Sequence, residues 1–213
     1  MISHKNRFIF IHIPKTAGTS LEIAFEDDSC TFKRGQWSKT PMGFNAPLNH
    51  LTIKQIEKSE ELSRDELNSF FKFTFVRNPW DRVISECFCG HIQPAFKDCK
   101  TVKEKIKKVC TIAKTTAGYA GHCKPYKDFI SHKDYKIDFI GRFENLKKDY
   151  SYVCKKLDIE QVSLTHKHKS QRKNYHEYFD EETIELVRDT YREDIESFNY
   201  SFNMNSHRLS KVP

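Results

Sequence analysis

FIFIHIPKTAGTS, residues 8–20, carries more structural information than any other stretch of the chain. Phe8 to Ile13 is a short, almost wholly apolar run, the composition of a strand buried on both faces. Pro14 ends it, and Lys15-Thr16-Ala17-Gly18-Thr19-Ser20 leads into Leu21, Ala24 and Phe25 at helical spacing. A buried strand, a tight turn of small residues with one lysine, and a helix together make an anion site. The first turn of the helix offers unpaired N–H groups and a partial positive charge, and Gly18 lets backbone approach the ligand. Lys15 adds a point charge, while Thr16, Thr19 and Ser20 add hydroxyls. A phosphate-like group suits such a site best; the plain alternative is a structural turn. The segment is not a Walker A loop, because its lysine precedes its only glycine.

A second segment repeats the layout. Residues 72–89 read KFTFVRNPWDRVISECFC. Phe73 to Val76 is an apolar strand ending at Arg77. Asn78-Pro79 starts a helix with Asp81 in its first turn and Val83, Ile84, Cys87 and Phe88 on its apolar face. Ser85 lies two helical turns beyond Arg77. An arginine fork binds two phosphate oxygens at once, so two cationic strand-to-helix turns point to one ligand with phosphates at both ends. The plain alternative for Arg77 is an ion pair at the sheet end.

IPKTAGTS resembles the 5′-phosphosulfate loop of sulfotransferases that use 3′-phosphoadenosine 5′-phosphosulfate (PAPS), and FVRNPWDRVIS resembles their 3′-phosphate-binding strand and helix. The wording is similar to the carbohydrate branch that includes the heparan sulfate 2-O and chondroitin enzymes and many short bacterial relatives. DFIGRFENL (138–146) resembles the third recurrent segment of that branch, and the tail from Tyr175 to Phe202 its C-terminal helix. The resemblance implies a P-loop-like three-layer α/β sandwich with a central, mainly parallel sheet flanked by helices, formed by residues 1–213 as a single sulfotransferase domain. It implies PAPS as donor, PAP (adenosine 3′,5′-bisphosphate) as product, a carbohydrate hydroxyl as acceptor and no metal. Lys15 would then meet the charge on the leaving phosphate, with Thr16, Ala17, Gly18, Thr19 and Ser20 around the 5′-phosphate. Arg77 and Ser85 would clamp the 3′-phosphate. In relatives the loop before the last helix closes over the nucleotide, which puts Arg172 and Lys173 near the 3′-phosphate and Tyr175 against adenine; a solvated basic loop is the alternative.

The acceptor hydroxyl needs a base, and histidine suits neutral pH. His50, in NHLTIKQI, resembles the position of the catalytic histidine in the 2-O-sulfotransferase branch; a turn residue is the alternative. His12 lies inside the first strand as a packed histidine near the acceptor site. His122, in AGHCKPY, lies in a loop that faces the acceptor in relatives. They carry Pro-Gln where this chain has Pro125-Tyr126, a departure that bears on the acceptor and leaves the donor site intact.

Composition fits a small enzyme. The 213 residues include 38% hydrophobic and 13% aromatic residues, enough for a real core. The formal charge is +7, with 36 Lys+Arg against 29 Asp+Glu. The lysines are scattered and no nucleic-acid motif accompanies them, so a generic basic surface is the simpler reading, and a polyanionic partner the sharper one. No stretch is long and apolar enough for a signal peptide or a membrane span, and Met1 close before the first strand gives the expectation of a cytoplasmic enzyme. Seven cysteines cannot all pair, and Cys87-x-Cys89-x-His91 with Cys99 fits no usual zinc spacing, so reduced thiols and no metal are expected.

The rest of the chain reads as a polar loop over 28–51 and helices over 52–58 and 63–71. A lysine-rich helix follows over 98–116, then a strand over 137–140, a helix over 146–157 and one amphipathic helix from Ile184 to Phe198. Two other functions fit the residues. A nucleoside or sugar kinase of related fold lacks its Walker lysine and an acidic Mg²⁺ site here. A non-catalytic polyanion-binding module would survive loss of His50.

Overall fold

The computed structural model describes residues 1–39, 45–115, 121–165 and 172–203. The chain divides into two compact units. The first comprises residues 1–76 and 128–167, the second 77–127 and 168–213.

The first unit is built on a five-stranded sheet: β1 (Ile2–Ser3), β2 (Phe8–Ile11), β3 (Cys30–Thr31), β6 (Phe71–Val76) and β7 (Phe139–Arg142), in the order β3-β1-β2-β6-β7. β2, β6 and β7 are parallel neighbours, with Phe10 opposite Phe73 and Phe73 opposite Phe139. The two-residue strands β1 and β3 add an antiparallel margin that sequence patterning does not reveal, because two residues carry no period. β2 and β6 are apolar nearly throughout yet still alternate. Phe8, Phe10, Phe73 and Phe75 form one aromatic layer. That layer meets Leu21 and Phe25 of α1 (Gly18–Phe25) and Tyr150, Val153 and Cys154 of a helix late in the unit.

Residues 28–51 are not the loop expected. Besides β3 they contain an antiparallel hairpin, β4 (Trp37–Lys39) with β5 (Asn45–Pro47), and a 3-10 turn at Leu48–His50. These strands are three residues or fewer, too short to carry a period, and β5 ends at Pro47. Helices α2 (Ile53–Lys58) and α3 (Arg64–Ser69) begin at Thr52 and Ser63, each with a reciprocal capping box. α3 stops before Phe71, which pairs with Phe8 in the sheet. Buried Lys72 donates to the carbonyls of Leu67 (3.0 Å) and Phe70 (2.7 Å), a cation on the unpaired end of α3.

The second unit is helical. Its α4 (Pro79–Cys87) starts at Asn78, whose side chain accepts from the Trp80 N–H, with proline at the first helical position. α5 (Val102–Ala113) lies inside the lysine-rich stretch, and the chain re-enters the first unit through α6 (Tyr126–Ile130). There α7 (Leu146–Leu157) supplies Tyr150, Val153 and Cys154. The last expected helix is two, α8 (Glu181–Thr190) and α9 (Arg192–Ser197), parted at Tyr191 (φ −116°, ψ 28°). Tyr191 is buried and its hydroxyl donates to Cys123 O at 2.8 Å, a tertiary tie that bends the backbone where amphipathic periodicity runs straight on. Trp80, Val83, Ile84, Ile106, Val109, Val187 and Tyr191 form the core of this unit. Among the described residues no helix is long and apolar enough to cross a membrane.

Candidate functional site

In the first unit the chain leaves β2 and turns through residues 14–17 before α1. Lys15 (φ 67°) and Ala17 (φ 71°) are both left-handed, an uncommon conformation for side-chain-bearing residues. Left-handed residues alternating with ordinary ones turn successive N–H groups toward a common concavity, the form of an anion nest. α1 starts at Gly18 with Ala17 at its cap, a residue whose side chain makes no capping hydrogen bond.

The side chains of this turn divide by burial. Lys15, Ala17 and Thr19 are half-exposed, whereas Thr16, Gly18 and Ser20 are buried. The Thr16 hydroxyl donates to Ile13 O at 2.8 Å and closes the turn. Ser20 Oγ donates to Thr165 O at 2.7 Å. Of the three expected hydroxyl donors, Thr16 therefore holds the turn's own backbone and Ser20 a distant carbonyl, and Thr19 is the one left at the surface beside Lys15.

Gly18 has a reason of its own. A Cβ added there would stand 1.9 Å from His12 Cδ2, so the imidazole occupies the space a side chain would fill. His12 is buried, with its ring stacked on Phe10 at 5.7 Å and edge-on to His50 at 4.4 Å between centroids. Its Nδ1 lies 3.0 Å from Glu22 Oε1 and 3.3 Å from Asn49 Nδ2. Glu22 is on α1 and 0% exposed. His50 Nδ1 is 3.0 Å from His12 O. A carbonyl accepts only, so the contact fixes the His50 tautomer with its proton on Nδ1 and makes Nε2 the basic nitrogen. His12 thus ties together the strand end, the helix start and His50. Neither Glu22 nor Asn49 is singled out by the sequence reading. The signal for Glu22 is an acidic residue one position past Leu21 on the core-facing stripe of α1.

In the second unit Arg77 follows β6 directly. Its Nε and Nη2 reach Asp81 Oδ2 at 2.7 and 2.6 Å, and Arg172 Nη2 reaches Asp81 Oδ1 at 2.7 Å. Two expected phosphate-binding arginines, 95 positions apart in sequence, therefore share one carboxylate. The ion pair that is the plain alternative for Arg77 is present, and its partner is Asp81, four positions on. Arg172 is held mostly buried, and its Nη1 has no hydrogen-bond partner among the described residues. Ser85 lies on α4, partly exposed. Lys173 is exposed, 3.6 Å from Glu177. Tyr175 stacks on His176 at 3.9 Å, and its hydroxyl donates to Phe202 O at 2.6 Å. Residues 166–171 of the basic loop lie outside the described residues.

His122 is buried, its Nδ1 2.9 Å from Glu86 Oε2. Burial works against a charged ring, but the Glu86 carboxylate and Cys89 outweigh it and push the imidazole up to about 9. Its ring is turned to Glu86 inside the second unit.

A search of curated proteins gave no match, and neither did a search of solved structures. A model of the Sulfotransferase family matches residues 1–201. With the strand–turn–helix, the second cationic strand end and the segment around β7 all inside that match, the chain belongs to the Sulfotransferase family.

Proposed function

We propose that this protein transfers a sulfuryl group from PAPS to a carbohydrate hydroxyl, on a P-loop-like sheet and with residues 1–213 acting as one domain. The observation that carries the reading is the turn after β2, with left-handed Lys15 and Ala17 leading into the first turn of α1. A nest and a helix start favour a phosphate at that point. The family match runs through both units, which supports treating them as one catalytic domain.

Lys15, Thr19 and the N–H groups of residues 17–19 hold the 5′-phosphate, with Thr16 and Ser20 fixing the loop and Gly18 seating His12. Arg77 and Arg172, already paired through Asp81, provide the charge for the 3′-phosphate that separates PAPS from ATP, with Ser85, Lys173 and Tyr175 completing the donor contacts. In the reaction the acceptor oxygen bonds to sulfur as the bond from sulfur to the bridging phosphate oxygen breaks. Lys15 stabilises the charge left on that phosphate. His50 Nε2 takes the acceptor proton, since Nδ1 is committed to the His12 carbonyl. His12 positions His50 from behind. We leave His122 out of the acceptor contacts because its ring is engaged with Glu86. The absence of a helix able to span a membrane among the described residues is consistent with a cytoplasmic enzyme.

Calorimetric titration with PAP, ATP and 5′-AMP tests the donor. PAP should bind well and 5′-AMP poorly, and Arg77→Ala should weaken PAP roughly ten- to hundredfold while leaving 5′-AMP unchanged. Equal affinity for PAP and 5′-AMP would remove the 3′-phosphate subsite and with it the PAPS assignment. Retained PAP binding with no turnover on any saccharide, by wild type or His50→Ala, would leave a polyanion-binding module instead.

A further inference from the structure

The second unit holds a side-chain cluster that sulfuryl transfer does not use. Glu86 is near the end of α4, Cys89 is three residues on, and His122 comes back from the segment before α6. One donor atom from each, a carboxylate oxygen, a thiol sulfur and a ring nitrogen, lies within 4.8 Å of the other two. All three residues are buried, at 1%, 5% and 6% exposure respectively.

Hydrogen bonding leaves the cluster incomplete. Glu86 Oε2 is 2.9 Å from His122 Nδ1, but Glu86 Oε1 has no hydrogen-bond partner among the described residues. A carboxylate oxygen buried without a donor is costly, and native interiors rarely keep one. A cation supplies the missing partner.

The backbone at each ligand is fixed independently. The Cys89 N–H donates to Glu86 O at 2.8 Å, and Gln93 Nε2 donates to Cys89 O at 3.0 Å. Arg82, one turn before Glu86, donates through Nη2 to His122 O and through Nη1 to Lys124 O, both at 2.8 Å. Its guanidinium spends those donors on the segment that carries His122. Gly121 (φ 78°) makes the turn that presents the histidine. Side chains so anchored are preorganised before any ion arrives.

The donor set selects the ion. Mixed sulfur, nitrogen and oxygen suits a borderline-soft tetrahedral metal, whereas Mg²⁺ and Ca²⁺ prefer oxygen alone. We propose that Glu86, Cys89 and His122 bind Zn²⁺ as a structural site of the second unit. The fourth position falls to water or to His91, whose ring centroid is 5.8 Å from that of His122. Binding forms one Zn–O, one Zn–S and one Zn–N bond. It releases the Cys89 thiol proton and the proton shared by His122 and Glu86 to solvent. The linear spacing Cys87-x-Cys89-x-His91 does not anticipate this set, since His122 lies 33 positions beyond Cys89.

The test is titration of the chelator-treated full chain with Co²⁺, a spectroscopic stand-in for Zn²⁺. One equivalent should bind with a thiolate-to-cobalt charge-transfer band and tetrahedral d–d bands, and Zn²⁺ should displace it. Cys89→Ser should abolish the charge-transfer band, His122→Gln should weaken Co²⁺ at least tenfold, and Cys110→Ala should change neither. No uptake by wild type, or a band that survives Cys89→Ser, overturns the proposal. Should circular dichroism show either variant unfolded, zinc K-edge absorption on the loaded wild type decides alone. One sulfur at about 2.3 Å with the remaining ligands nitrogen or oxygen at about 2.0–2.2 Å supports the site. No sulfur, or more than one, overturns it.

Discussion

His12 is the residue through which the first unit joins its fold to its site. The ring lies where a side chain at position 18 would be, packs on Phe10 and His50, and meets the fully buried Glu22. Gly18→Ala puts a Cβ 1.9 Å from His12 Cδ2, so the ring must move and take the His50 anchor with it. We expect a loss of roughly 1–3 kcal/mol in chemical denaturation and a fall in turnover larger than any change in PAP affinity. His12→Ala removes the ring packed on Phe10 and His50 and the nitrogen 3.0 Å from Glu22 Oε1, and should cost about 1–3 kcal/mol. The double variant His12→Ala/Glu22→Gln should recover part of that loss in urea unfolding, since a neutral amide is cheaper to bury than a carboxyl group facing a void. If the double variant is no more stable than His12→Ala, the pair is not what holds the ring. Gly18 itself was legible as a special position, but for another reason. A glycine in a small-residue turn suggests room for a ligand, and only the folded chain discloses that an imidazole uses the room.

Elements with local signals were legible almost to the residue. Ser63 with Glu66, and Asn78 followed by Pro79, mark helix starts that are present as expected. Leu146–Leu157 has the bounds its periodicity implies. The shortest elements were not: β1, β3 and the β4–β5 hairpin have at most three residues per strand, too few to show a period. α8 carries the testable case. It starts at Asp180, which accepts from the Thr183 N–H and meets Lys103 of α5. The Lys103 ammonium, then the Thr183 hydroxyl and N–H, hold the Asp180 carboxyl well below the usual carboxylate range. A depressed folded value means the contribution is complete above the unfolded pKa and is lost as pH falls through the folded one. Stability of wild type should therefore decline from about pH 4 downward. Asp180→Asn should start lower at pH 7 and show a shallower acid limb, followed by circular dichroism in urea from pH 7 to 2.

At the scale of the whole molecule, the chain carries +7 over 213 residues, from 36 basic and 29 acidic side chains. Under the proposed function, capture of an anionic saccharide should weaken with salt. KM for a carboxylated or sulfated acceptor should rise several-fold between 50 and about 300 mM salt, whereas KM for a neutral sugar should stay nearly constant. Equal salt response for both would assign the basic surface no part in acceptor capture. The two cationic strand ends, the helix that follows each, and membership of the Sulfotransferase family are written in the order of residues alone. These rest on contiguous residues, where period, proline and caps act locally. Folding alone brought Ser20 to the Thr165 carbonyl, Arg77 and Arg172 to one carboxylate, and Glu86, Cys89 and His122 into one interior. Those groups join residues from different turns, helices and loops. Their energies come from burial and desolvation at contacts that exist only after the chain has packed.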